Sequence, residues 1–185
     1  MRIAIIGKGL IGGSFEKAAK RAGHEAAIFD KGEDFRVEDA EIVFVAVPPS
    51  AVVAVVDAIA PRLKEGAVVV DATGVKTPVC DALRKYAFET RWVFVGGHPM
   101  AGKEKNGYEN SDAALFDGAS MILTPSIGAP LRKTFQSGLS GRSRKSASFR
   151  ASGGNPSRRS RLPWAIISRS FAVSSEWASA PMAAP

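Results

Sequence analysis

The sequence predicts an α/β fold with a doubly wound, mainly parallel sheet, followed by a largely disordered basic tail. Three observations carry this. Short apolar runs alternate with helical stretches up to about residue 131, the runs are continuous in hydrophobicity, and the composition changes abruptly afterwards. Continuous Val, Ile and Phe runs suit parallel strands, because crossover helices cover both faces of such a sheet. At 185 residues and 45% apolar content the chain has material for one ordinary core.

The elements follow in order. Strands are expected at Ile3–Ile6, Ala26–Phe29, Ile42–Val47, Ala67–Val70, Trp92–Val95 and Met121–Leu123. A first helix runs from Leu10 to Ala22, where Gly23 supplies a C-terminal cap. Ser50 is placed to cap a second, whose Val52, Val53, Val56, Ile59 and Leu63 recur at helical spacing before Gly66. Thr77 followed by Pro78 reads as an N-cap and first-turn proline for a third helix through Leu83 and Tyr86. Only Lys31 to Glu41 separate the second and third strands, so the crossover there has room for a helical turn or two at most.

Charge divides the chain at the same point. Residues 1–131 carry 15 Lys+Arg against 17 Asp+Glu, a net of −2; residues 132–185 carry 10 against Glu176 alone, a net of +9. The overall +7 is therefore a property of the tail, and any nucleic-acid argument concerns the tail alone. That segment holds 13 Ser and 8 Arg without a sustained period, and Pro163 interrupts the helical spacing of Trp164, Ile167 and Phe171. Such a composition buries too little apolar surface to offset the ordering entropy. The division is thus a folded domain over 1–131 and a basic Ser/Arg-rich tail over 132–185, disordered or non-native.

Several classes are excluded. Cys80 is the single cysteine, so no intramolecular disulfide forms, and with His24 and His98 alone a His/Cys zinc site is not expected. The N-terminus is broken by Gly7 too early for a signal peptide, and no apolar stretch approaches a membrane span. A soluble, cytoplasmic protein is expected.

The chemistry lies at the strand ends. Gly7-Lys8-Gly9-Leu10-Ile11-Gly12 leaves the first strand and opens the first helix. Gly7 permits the tight turn, Gly9 lets backbone approach a pyrophosphate at the helix N-terminus, and Gly12 allows close helix–sheet packing. In this context the pattern marks a Rossmann-type dinucleotide site, with Leu10 and Ile11 in the phosphate-binding turn. Asp30 ends the second strand, 18 residues past Gly12. A carboxylate there accepts from ribose hydroxyls and repels a 2′-phosphate, which favours NAD over NADP, although Lys31 beside it softens the discrimination. Val47-Pro48-Pro49 and Asp71-Ala72-Thr73-Gly74 end further strands on the ligand side, so Val47, Pro48 and Thr73 join the cofactor-binding set; ordinary turn chemistry is the alternative.

Gly96-Gly97-His98-Pro99-Met100-Ala101-Gly102 is expected just past a strand. Histidine titrates near neutrality and can take a proton from a substrate hydroxyl. Pro99 holds His98 extended, and the flanking glycines leave space around it. A structural histidine is the competing reading. His24 reads as a surface residue, and Cys80 as helix packing.

With these residues in view, the sequence resembles the prephenate dehydrogenases, including the arogenate-using members. The resemblance rests on Gly7 through Ser14, Val45-Ala46-Val47-Pro48, Asp71 through Lys76, and His98 through Gly102 with Glu104, Lys105 and Gly107; Leu115-Phe116 and Leu123-Thr124-Pro125 follow at matching distances. It covers about residues 1–131. It implies NAD-dependent oxidative decarboxylation of prephenate to 4-hydroxyphenylpyruvate in tyrosine biosynthesis, with His98 as the catalytic histidine that accepts the ring hydroxyl's hydrogen bond. Glu104 matches a position at the edge of the active site. Gly74 stands where many relatives carry serine, with Thr73 beside it. The family also continues into a helical domain for dimerisation and substrate binding, which nothing after Leu131 resembles.

Three readings follow: an active prephenate or arogenate dehydrogenase, an inactive dinucleotide-binding fragment, and a protein whose basic tail is a nucleic-acid-binding arm. In the second, the tail is an out-of-frame translation, since shifted reading of a GC-rich gene yields Arg, Ser, Ala, Gly and Pro. That reading expects a helical-domain sequence in another frame past codon 131, and a frame search that finds none refutes it.

Overall fold

The computed structural model describes residues 1–86, 91–125, 147–150 and 173–174. In chain order the strands are β1 (Arg2–Ile6), β2 (Glu25–Phe29), β3 (Ile42–Val45), β4 (Val68–Asp71), β5 (Val93–Pro99), β6 (Ser120–Pro125), β7 (Ala147–Arg150) and β8 (Val173–Ser174). The helices are α1 (Leu10–Arg21), α2 (Pro49–Ile59) and α3 (Thr77–Leu83). They build one sheet in the order β2-β1-β3-β4-β5-β6-β7-β8. The first five strands are parallel, and β6 turns antiparallel against β5. This is the doubly wound, mainly parallel sheet that the continuous apolar runs predict.

Successive side chains of a strand point to opposite faces, so each run supplies two cores at once. Ile3 and Ile5 of β1 face α1 and pack with Phe15, Ala19, Phe44, Val70 and Met121. Ala4 and Ile6 face the other side, among Val52, Val56 and Ile59 of α2 and Leu83 of α3. Phe15 anchors the first core. Its ring stacks on Phe44 at 4.2 Å between centroids and on Phe116 at 4.5 Å.

The short β2–β3 connection holds no helix. Val37 is fully buried there, and Phe35 meets the edge of Phe29. Arg62, in a 3-10 turn after α2, clamps the loop through Asp34 at 2.8 Å and Glu38 at 2.5 Å.

Helix starts differ from the sequence reading. Pro48, with ψ 147°, is the N-cap of α2, and Pro49 rather than a residue after Ser50 begins it. Proline suits the first turn because its missing N–H has no intrahelical partner to lose. Lys76, not Thr77, is the N-cap of α3. Leu63 lies past the end of α2 yet stays buried. β7 and β8 extend the sheet by antiparallel pairing where no apolar run predicted a strand; ladders use backbone groups that any residue brings. The expectation of disorder for the rest of the tail falls outside the described residues.

Phe15→Ala removes the ring shared by two stacked pairs and is expected to lower the unfolding free energy by about 3–5 kcal/mol. Urea denaturation of the chain checks this, and a loss below about 1 kcal/mol would contradict the anchoring role.

Candidate functional site

β1 lies between β2 and β3, so strand order reverses at the β1/β3 junction, and open α/β sheets have their ligand crevice beyond the carboxyl ends at such a point. Gly7 occupies that point with φ +109°, and a Cβ on it would run into the Ala46 carbonyl. A Cβ on Gly12 would likewise strike the Gly7 carbonyl and reach Ile5 at 3.3 Å. These two glycines are required by the protein's own packing.

Gly9 differs. A Cβ there would meet nothing within 4 Å, so its bareness serves no internal contact. Gly9 is also the N-cap of α1, with no side-chain cap and no acidic residue in the first turn. Leu10 is buried and Ile11 half-buried, and the N–H groups of Leu10, Ile11 and Gly12 precede the first intrahelical bond, from Gly13 to the Gly9 carbonyl at 2.9 Å. An uncapped helix N-terminus beside an open space fits the pyrophosphate of a dinucleotide. Val47, whose Cγ1 would lie 3.2 Å from a Cβ on Gly7, and the exposed Pro48 form the opposite wall. Asp30 stands exposed just beyond β2, where its carboxylate can meet a ribose.

A buried polar post orders the neighbouring strand ends. Asp71 is 0% exposed at the end of β4. Its carboxylate accepts from the Gly97 N–H at 2.9 Å, the Thr73 N–H at 3.2 Å, the Thr73 hydroxyl at 2.5 Å and the Lys76 ammonium. Lys76 also donates to the Gly97 carbonyl at 2.5 Å and Thr73 Oγ1 at 3.2 Å. Three ammonium protons thus find three acceptors, the condition under which a buried pair is tolerated. The Thr73 hydroxyl proton is committed to this post. Thr73 itself is buried, and the sequence offered Asp71 and Lys76 only as parts of longer motifs, with no mutual contact. Only folding brings Lys76 across to β5.

His98 sits inside β5, paired with Ile122 of β6, because the strand continues to Pro99 instead of ending at Val95. Gly96 and Gly97 do not open space as the sequence suggested. A Cβ on Gly96 would lie 2.8 Å from Cys80 Sγ, and one on Gly97 2.5 Å from the Asp71 carbonyl and 2.8 Å from Met121. The His98 ring packs against Gly74, whose Cβ would stand a tight 3.3 Å from His98 Cε1. His98 Nδ1 is buried and has no hydrogen-bond partner among the described residues. A buried polar atom left unpaired calls for an explanation, such as a bound group.

The segment after His98 returns to α1. Ser14 Oγ accepts the Asp112 N–H at 3.0 Å, and Lys17 donates to the Ser111 carbonyl at 2.9 Å. The Tyr108 hydroxyl donates to Glu16 at 2.7 Å, and that carboxylate pushes the hydroxyl's pKa above its usual range. Gly13 makes the approach possible, since a Cβ there would lie 2.6 Å from Ser111 Oγ. This contact was not read from the sequence, where the small pair Gly13-Ser14 is the trace it leaves.

His24 is half-buried at the opposite end of β2 from Asp30. Cys80 packs against the core, where burial pushes its thiol pKa up. Among the described residues no three His, Cys, Asp or Glu side chains are placed to hold a metal ion, and no helix is long and apolar enough to cross a membrane. Lys76→Met strands the buried Asp71 charge and is expected to cost about 3–5 kcal/mol. Thermal and urea unfolding measure it, and a near-neutral effect would refute the post.

Residues 3–133 match the family model described as prephenate dehydrogenase, nucleotide-binding domain. The prephenate dehydrogenase of Lactococcus lactis is 34% identical over 143 residues, covering 66% of this chain and 40% of that protein. The cyclohexadienyl dehydrogenase of Zymomonas mobilis is 33% identical over 149 residues, covering 69% and 50%. This chain therefore spans half or less of the length of these relatives. Among solved structures, the Synechocystis arogenate dehydrogenase matches with a TM-score of 0.64 at 26% identity, over 74% of this chain and 56% of that one. A prephenate dehydrogenase from Aquifex aeolicus, in complex with hydroxyphenyl propionate and NAD+, matches with 0.62 at 27%, over 74% and 55%. The glycine turn, His98 in β5 and these matches agree, and the chain belongs to the prephenate dehydrogenase family, with residues 3–133 corresponding to its nucleotide-binding domain.

Proposed function

We propose that residues 1–131 form the NAD-binding domain of a dehydrogenase that oxidatively decarboxylates prephenate or arogenate in a cytoplasmic setting. The observation that carries this reading is one edge of the sheet, where the bare N-terminus of α1 and the half-buried His98 with its unpaired Nδ1 both lie. NAD, when bound, supplies the hydride acceptor. The N–H groups of Leu10, Ile11 and Gly12 hold its pyrophosphate, Gly9 leaves the room, and Asp30 takes the adenosine ribose and disfavours a 2′-phosphate. Val47, Pro48 and Thr73 border the crevice towards the nicotinamide. His98 accepts the hydrogen bond of the substrate's ring hydroxyl and takes its proton as carbon dioxide is lost. Aromatisation supplies the driving force, so these residues chiefly align and polarise. The NAD+ and hydroxyphenyl propionate held by the Aquifex relative, the latter a ring hydroxyl and a carboxylate in one molecule, support this reading.

The composition break after residue 131 favours a second reading, dinucleotide binding without turnover. NADH fluorescence titration of the full chain is expected to saturate, and no binding up to about 1 mM refutes both readings. Following NADH formation from NAD and prephenate separates them. Turnover that falls at least about 100-fold in His98→Asn supports the first, and binding without turnover supports the second.

Gly9→Ser puts atoms into the open space and offers the helix its own cap. Stability is expected to hold within about 0.5 kcal/mol, while NADH affinity falls at least about tenfold. Undiminished affinity would remove the pyrophosphate from this turn.

A further inference from the structure

We propose that Glu33 is a second specificity-determining carboxylate, acting with Asp30 to favour NAD over NADP at the end of β2. The inference rests on the dinucleotide site proposed above. Asp30-Lys31-Gly32-Glu33 closes a turn just past the strand: the Glu33 N–H donates to the Asp30 carbonyl at 3.1 Å, and Gly32 takes φ +89°. The Glu33 side chain folds back, so that its Oε2 accepts the Asp30 N–H at 2.9 Å. The Phe29 carbonyl points inward to the Gly7 N–H at 2.8 Å. In a trans peptide the Asp30 N–H then points outward, which places the Glu33 carboxylate on the outer side of the strand end.

Asp30 Oδ1 meanwhile accepts the Lys31 N–H at 2.9 Å. Each carboxylate thus engages the turn's backbone through one oxygen, and both side chains are exposed. Two negative charges are pinned beside the place where a 2′-phosphate would have to sit. Two cations share this stretch. Lys31 meets Asp30 through its backbone, and Arg36 lies over the Phe29 ring, 5.7 Å from its centroid. Sequence reading left Lys31 as a softening charge; the turn geometry sets a second carboxylate against it.

The test is the ratio of NADP to NAD dissociation constants for the full chain, titrated with NADPH and NADH. Glu33→Gln keeps an oxygen for the Asp30 N–H and removes the charge. Because the charge is exposed, its loss is expected to lower the ratio about three- to tenfold, with NAD affinity within about twofold, and the change shrinks as salt is raised. An unchanged ratio in Glu33→Gln, with NAD still bound by the unmodified chain, overturns this inference alone. A ratio that moves in Glu33→Ala but not in Glu33→Gln gives Glu33 a merely structural role and equally overturns it. Failure of the unmodified chain to bind either dinucleotide overturns the cofactor reading and this inference together.

Discussion

No side chain fits where β1 hands over to α1, and the rest of the site is arranged around that close approach. The Gly7 carbonyl lies where a Cβ of Gly12 would be, and the Ala46 carbonyl where a Cβ of Gly7 would be. Three pieces of backbone therefore meet without an intervening atom, and the helix begins against the sheet edge. Its first N–H groups consequently face the crevice, with Gly9 as a bare cap. One turn later Phe15 fills the first core between Phe44 and Phe116, so the helix that presents these donors is held by stacked rings. Backbone closeness at one end and aromatic packing at the next turn are two parts of one constraint.

The second half of the crevice edge is ordered by charge. Asp71 and Lys76 tie the end of β4 and the start of α3 to both backbone groups of Gly97, one residue before His98. A charge pair with a fully buried carboxylate is directional and resists displacement, because the buried Asp71 alone would be costly. His98 thus stands on a rigid strand, with its ring packed against Gly74. The chain then crosses to α1, where Ser14, Glu16 and Lys17 fasten the segment around Tyr108 to Asp112. The phosphate-facing helix and the histidine strand are in this way parts of one body.

Much of the fold was legible because its causes are local or periodic. Both-face burial leaves continuous apolar runs, and the turn off β1 leaves glycines at set spacing. The shortness of the β2–β3 link was countable, and no helix forms there. Cap positions were less legible: Ser50 and Thr77 have the right chemistry, yet Pro48 and Lys76 occupy the caps. Neither residue caps through its side chain: Pro48 brings a fixed φ, and the Lys76 ammonium is bound to Asp71.

The sequence by itself determined the sheet class, the glycine turn and the placing of Asp30 just past β2, since each follows from residue type and spacing along one element. Tertiary structure alone decided which glycine is spare. Gly7, Gly9 and Gly12 look equivalent in the motif, but two are filled by neighbouring backbone and one is open. It also decided that Gly96 and Gly97 accommodate Cys80, Met121 and the Asp71 carbonyl instead of making room for a ligand. The physical reason is the same in each case: whether an absent side chain leaves a space depends on atoms from distant parts of the chain, and spacing along one segment carries no record of them.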